Sequence, residues 1–327
     1  MALTTRLTRA LGIRHPILSA PMAFAAGGAL AGAVSAAGGL GLIGGGYGEA
    51  SFLDAAFADA GNQRIGCGFI TWSLARQPAL LAQALRHRPT AVMLSFGDPR
   101  PFAASIKQAG SLLICQVQDM ALARQALDAG ADILVAQGGE AGGHGAARGT
   151  LTLVPEIADF LAKHAPTTML VAAGGIADGR GLAAALMLGA DGVLMGSRFW
   201  ASREALVHAR HHAAALAANG DATIRQTATD IARGLDWPAG FTARVLRNAF
   251  TERFAGREKQ METALRSCQG VYAEAFAAGD PQEAGVWIGE ATGLIADVAG
   301  AAELVERIVA QAEECLAAGA GLRGNTP

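Results

Sequence analysis

Charge is scarce in this chain. Charged side chains make up 17% of its 327 residues, hydrophobic ones 51%, and the formal net charge is −2. So few charges, with no basic stripe, exclude nucleic acid as the main partner. The apolar content excludes a disordered chain, which could not bury a core. The four cysteines, Cys67, Cys115, Cys268 and Cys315, are scattered without C-x-x-C spacing. That excludes a disulfide framework and reads as reduced thiols in a cytoplasmic protein. Charge is wholly absent from Pro16 to Gly48. Pro16, Pro21 and repeated glycine pairs break that stretch into short pieces, which excludes a membrane span. An apolar core holding two prolines, continued by further segments of the same kind, also excludes a signal peptide. No Ser-His-Asp or zinc constellation is legible.

What the chain has is a repeated phrase. A helix-like run ends in Ala-Gly or Leu-Gly, and a short apolar run follows. AAGGLGLIGG (36–45), QAGSLLICQV (108–117), DAGADILVAQG (128–138) and MLGADGVLMGS (187–197) are four copies. Glycine suits the left-handed residue that ends a helix, and a run apolar throughout suits a strand covered on both faces. PILSA (16–20), RIGCGFI (64–70), TAVMLSF (90–96) and TMLVAAGG (168–175) complete eight strands. Helices are expected near 28–37, 49–60, 78–87, 101–109, 119–129, 154–164 and 178–188. Eight βα units predict an α/β fold, a closed (β/α)8 TIM barrel; a doubly wound open sheet is the alternative. The barrel is expected to occupy residues 1–202 and 286–320. Residues 203–285, with no strand-like run, are expected to form a helical insertion domain after the eighth strand. The tail GLRGNTP is expected to fray.

The motifs divide into structural and chemical ones. Gly39 to Gly44 fit G-x-G-x-x-G, but these glycines follow a helix and lie within a strand, so a dinucleotide site is rejected. VAAGGIADGRG (171–181) and GVLMGSRF (192–199) place glycines after the seventh and eighth strands, where barrels frequently bind phosphate with backbone N–H groups. Gly174 and Gly175 leave room for close approach, and Gly196 and Ser197 add an N–H and a hydroxyl. QGGEAGGHG (137–145) carries His144 just past the sixth strand. An imidazole on that face can accept or donate a proton near neutral pH. Glu140 in the same run either holds the loop or stays solvated. His208, His211 and His212 read as a solvated helix face rather than a metal site, since nothing completes a ligand set.

HPILSAPM, QGGEAGGHG, AAGGIADGRG and GADGVLMGSRF, in that order, resemble the nitronate monooxygenase family, formerly 2-nitropropane dioxygenases. The resemblance covers about residues 4 to 310. It implies a (β/α)8 barrel, non-covalent FMN and a helical second domain. By motif, it implies that Ala20, Pro21, Met22 and Ala23 pack beside the flavin ring and that Gln137, Gly142 and Gly143 contact or flank FMN. Gly174, Gly175, Met195, Gly196 and Ser197 would cradle the phosphate. Gln116 would lie near the ring, and His144 would act as base or hydrogen-bond donor. Two positions depart from the family pattern. Gly68 stands where many relatives carry an asparagine facing the flavin, and tyrosine occurs only at 47 and 272. Trp72, Phe96 and Trp287 are expected to wall the substrate pocket instead.

The resemblance implies an oxidoreductase that converts alkyl nitronates and O2 to a carbonyl compound and nitrite. The alternative is an NAD(P)H-dependent reductase of quinones or enoyl thioesters on the same scaffold. A flavin-free barrel binding a phosphorylated small molecule is a third class. The expected partners are small molecules and O2, with no nucleic acid and no membrane; pairing into a homodimer is left open.

Overall fold

The computed structural model describes residues 3–322; the tail reading beyond Leu322 lies outside them. Eight short parallel strands alternate with helices. They are β1 (Ile17–Ser19), β2 (Leu42–Gly44), β3 (Gly66–Ile70), β4 (Ala91–Ser95), β5 (Leu112–Val117), β6 (Ile133–Gln137), β7 (Met169–Ala173) and β8 (Gly192–Met195). Each lies inside one of the eight runs read as strands. They pair in the order β1-β8-β7-β6-β5-β4-β3-β2. A parallel bridge between Leu18 and Leu40 closes the ring. There the Ser19 N–H donates to the Leu40 carbonyl at 3.1 Å and the Leu40 N–H to the Ile17 carbonyl at 3.0 Å. The fold is a closed (β/α)8 barrel, and the open-sheet alternative is excluded.

Burial explains why the strands read as unbroken apolar runs. In β6, Ile133 and Val135 fill the barrel interior with Leu42, Met93, Ile114 and Val171. Leu134 and Ala136 of the same strand face the layer under the helices. Both faces exclude water, so neither can be polar. Leu7 and Leu11 of the helix Arg6–Leu11 plug the N-terminal end. Arg6 fastens that helix by a fork of 2.8 and 2.7 Å to the Asp191 carboxylate. The glycines of the rejected dinucleotide motif serve packing. A Cβ on Gly41 would lie 2.0 Å from the Ala31 carbonyl oxygen, so the helix Gly28–Ala36 could not sit so close to β2 with any larger residue there.

Residues 203–285 correct the expectation of a strandless helical segment. Helices do dominate, at Ala209–Leu216, Ala228–Ala232, Ala249–Phe254, Glu262–Ser267 and Gln269–Ala277. But Thr223–Gln226 and Thr242–Leu246 form an antiparallel pair, and Gly143–Gly145 joins as a third strand. The segment also shares an apolar cluster with the barrel mouth, in which Ala25, Ala177 and Trp200 pack with Ala215, Leu246 and Ile288. The chain then returns to the barrel wall through the helix Ala301–Gly321, which packs on Gly179–Met187. No helix among the described residues is long and apolar enough to cross a membrane.

Candidate active site

A cavity opens at the C-terminal ends of the strands. Ala20, Pro21, Met22, Ala23, Gly68, Gln116, Gln137, Gly142, Gly143, His144, Gly174, Gly175, Gly196 and Ser197, all singled out from sequence, line it. Met195 does not. Its side chain is fully buried in the layer between barrel and helices, and its carbonyl accepts from the Ala20 N–H at 3.0 Å. The alternation of β8 decides this: Leu194 faces inward, so Met195 must face out.

The loops after β7 and β8 form a backbone cradle. Gly174 and Gly175 have φ of 99° and 71°, left-handed values that glycine adopts without strain. A Cβ on Gly174 would also stand 2.8 Å from the Gly138 carbonyl oxygen. Among the described residues, no protein acceptor takes the N–H of Gly175, Ile176, Gly196 or Ser197. Four such donors beside one cavity need an acceptor from outside the chain. Gly68 also has a structural reason. A Cβ there would lie 2.4 Å from Pro21 Cγ, so the Pro21 ring occupies the space an asparagine side chain would need.

The His144 loop is held from several sides. Gly143–Gly145 pairs with Thr242–Leu246, placing His144 opposite Ala243. The Gln137 side-chain amide donates to the His144 carbonyl at 3.0 Å, and Gln116 and Gln118 donate to Gln137 Oε1 at 3.1 and 2.9 Å. Arg225 and Arg244 both donate to the Gly139 carbonyl, at 3.0 to 3.1 Å. Burial and the neighbouring Arg244 push the Arg225 guanidinium down to about 10. Glu140 is a loop clasp: its carboxylate accepts from the Thr150 N–H at 2.9 Å and the Thr150 hydroxyl at 2.8 Å.

The imidazole itself has a partner that sequence reasoning missed. His144 Nε2 lies 3.0 and 2.9 Å from the two carboxylate oxygens of Asp230. The side chains are 9% and 2% exposed, so water hardly competes for the contact. Burial lowers the His144 pKa below its ordinary 6.5; Asp230 opposes that shift and Arg233 and Arg225 add to it. A neutral imidazole beside a carboxylate must donate through Nε2–H, which leaves Nδ1 with the lone pair. The Trp237 ring lies face to face on His144, with centroids 3.4 Å apart and planes 6° apart.

Phe96 and Trp287 line the cavity as expected. Trp72 stands behind the wall, its ring 6.0 Å from Tyr47 and 5.4 Å from Trp237. Tyr47 lines the cavity, whereas Tyr272 is buried elsewhere and accepts from the Gly285 N–H at 2.9 Å. Phe24 and Phe96 both hold φ of 63°, a costly conformation for an aromatic residue, and both face the cavity. The solvated reading fails for His211, which is 4% exposed and lines the cavity. His212 Nε2 instead contacts the Trp200 carbonyl at 2.9 Å, and His208 Nδ1 accepts from the Arg210 N–H at 3.2 Å. Asp230 and Arg233, three residues apart, left one faint signal, an acid and a base spaced to share a helix face. Nothing in the sequence tied either to a histidine so far away along the chain.

A closed barrel whose glycine-rich loops and buried imidazole converge on its C-terminal mouth is built as an enzyme. The sequence matches the nitronate monooxygenase family over residues 4–63 and 74–311, and the chain belongs to that family, a class of FMN-dependent oxidoreductases. It is 33% identical to a nitronate monooxygenase of Neurospora crassa, over 91% of this chain and 89% of the relative. Among solved structures, FabK from Thermotoga maritima superposes with a TM-score of 0.87 at 31% identity, over 98% of this chain and 99% of that one. A nitroalkane oxidase from Streptomyces ansochromogenes superposes with a TM-score of 0.80 at 27% identity, over 96% and 99%.

Proposed function

We propose that this chain binds FMN and oxidises alkyl nitronates with O2 to a carbonyl compound and nitrite. The observation that carries the reading is the meeting, in one cavity, of the N–H cradle after β7 and β8 with a carboxylate-held imidazole. The residues fit the cofactor. The N–H groups of Gly175, Ile176, Gly196 and Ser197 have no protein acceptor among the described residues and suit a phosphate. Ala20 to Ala23 and Gly68 offer an apolar wall for a flat ring, and Gln116 and Gln137 line the cavity beside it. Bound there, FMN supplies an acceptor for the substrate's electrons and a donor to O2.

The chain's own part is proton handling and positioning. With Nε2–H committed to Asp230, the Nδ1 lone pair of His144 takes the proton from the carbon beside a nitro group, leaving the nitronate anion. A substrate arriving as nitronate has already lost that proton and needs only orientation. Phe96, Trp237 and Trp287 line the cavity and keep water from the reacting atoms.

A second reading is an NAD(P)H-dependent reductase of quinones or enoyl thioesters. The higher TM-score to FabK, 0.87 against 0.80 for the nitroalkane oxidase, favours it. Anaerobic mixing separates the two. Bleaching of the flavin by an alkyl nitronate but not by NAD(P)H supports the first reading; the reverse result replaces it with the second.

A further inference from the structure

Arg233 follows the short helix Ala228–Ala232 and lines the cavity with its side chain 17% exposed. Among the described residues, Asp230 is the one carboxylate within 4.0 Å of it. That contact is at the 4.0 Å limit, and both Asp230 oxygens already face His144. A guanidinium so placed has been taken from water without a forked carboxylate in return, which is costly. Aromatic faces offset part of the cost: the guanidinium carbon lies 5.4, 5.1 and 5.1 Å from the ring centroids of Phe24, Tyr47 and Trp287. The rings form a wall. Phe24 packs on Tyr47 at 6.0 Å and on Phe276 at 6.4 Å, and Phe276 on Trp287 at 5.5 Å. A second observation is independent of Arg233. His211 contacts the same wall, 5.8 Å from Phe276, and its buried Nε2 has no hydrogen-bond partner among the described residues.

We infer that Arg233 and the rings of Phe24, Tyr47 and Trp287 form an anion subsite that receives a planar oxyanion, nitronate or carboxylate, borne on an apolar body. The inference rests on the proposed reading in taking this cavity as the substrate's. A guanidinium fork matches two oxygens in one plane, and flat walls favour a flat group between them. Asp230 links the subsite to the base, since its carboxylate lies 2.9 Å from His144 Nε2 and 4.0 Å from the Arg233 guanidinium. An anion at Arg233 therefore lies within a short reach of the imidazole, and the subsite selects charged planar substrates over small neutral ones.

The test is ligand titration by tryptophan fluorescence, since Trp200, Trp237 and Trp287 line the cavity. Benzoate, benzamide and inorganic phosphate are titrated into the protein as purified, then into the variants Arg233→Met and Arg233→Lys. Benzoate is expected to weaken at least about tenfold in Arg233→Met and less in Arg233→Lys, while benzamide changes by less than about twofold. Equal losses for benzoate and benzamide, or none for benzoate, overturn the subsite. Phosphate binding as tightly as benzoate overturns the planar class. Loss of FMN from Arg233→Met, with a normal circular dichroism spectrum, assigns the guanidinium to the cofactor and also overturns it. Failure of the nitronate reading reads differently: nitronate leaves the flavin oxidised, yet benzoate still binds through Arg233.

Discussion

Replacing Asp230 with asparagine removes one charge and almost no volume, and acts chiefly on the bond to His144, the Arg233 contact being at 4.0 Å. The wild-type contact is short, 2.9 to 3.0 Å, and buried. A hydrogen bond to a charged group is worth about 1.5–3 kcal/mol net. At about 1.4 kcal/mol per factor of ten, its loss corresponds to roughly 10- to 150-fold in any step that depends on it. The asparagine can also turn its amide toward Nε2 and donate, which forces the proton onto Nδ1 and abolishes the base. Two further consequences follow from the pKa of His144, which burial already holds below 6.5 against the pull of Asp230. Without that pull it falls further, so the acid limb of the pH–rate profile moves to lower pH. Stability changes in the same direction. A buried histidine with a lowered pKa contributes fully above about 6.5 and loses that contribution as pH falls from there toward its folded value. In the variant that interval is wider, so acid costs it more. The assay is anaerobic flavin reduction by a neutral nitroalkane and by its pre-formed nitronate, followed across roughly pH 5 to 9. The expected result is a loss of about 10- to 150-fold with the nitroalkane and a much smaller one with the nitronate. An unchanged nitroalkane rate and acid limb would refute the dyad; equal losses with both substrates would show that Asp230 acts by holding the loop.

Other perturbations probe the remaining parts. His144→Ala should retain FMN and fold but lose about 10² to 10⁴ in rate with a neutral nitroalkane, and less with nitronate; rapid-mixing kinetics compare the two. The protein should purify with bound flavin, read from its visible absorbance. Gly196→Val should weaken flavin binding at least about tenfold, measured by fluorescence titration. A Cβ at Gly196 meets only Ala20 and Met22 at 3.7 and 3.8 Å, and its φ is not left-handed, so the side chain projects into the cradle without straining the fold. Arg225→Met should destabilise the protein by about 1–3 kcal/mol in denaturant unfolding. It strips buried hydrogen bonds from the Gly139, Ala141 and Thr242 carbonyls.

The barrel was legible because its cause is local. A strand covered on both faces must be apolar throughout, and a helix ending in a left-handed residue favours glycine, so eight strands could be read in order. The cradle was legible for the same reason: glycine after β7 and β8 is a local demand of the backbone. The Met195 side chain lies outside the cavity because the motif names a stretch, whereas the alternation of β8 decides which side chains turn inward. Residues 223–246 were read without strands because two strands of four and five residues carry little periodic signal, and the central one, Thr242–Leu246, completes its pairing with Gly143–Gly145, far away in sequence. Asp230 and Arg233 belong to no motif that marks them in the sequence. Only the folding of that segment over the barrel mouth brought the carboxylate to His144 and the guanidinium among three rings. The sequence by itself determined the scaffold and the histidine's place on it. The histidine's partner, its tautomer and the walls of the cavity were decided by tertiary structure, because they depend on contacts between residues that no local pattern links.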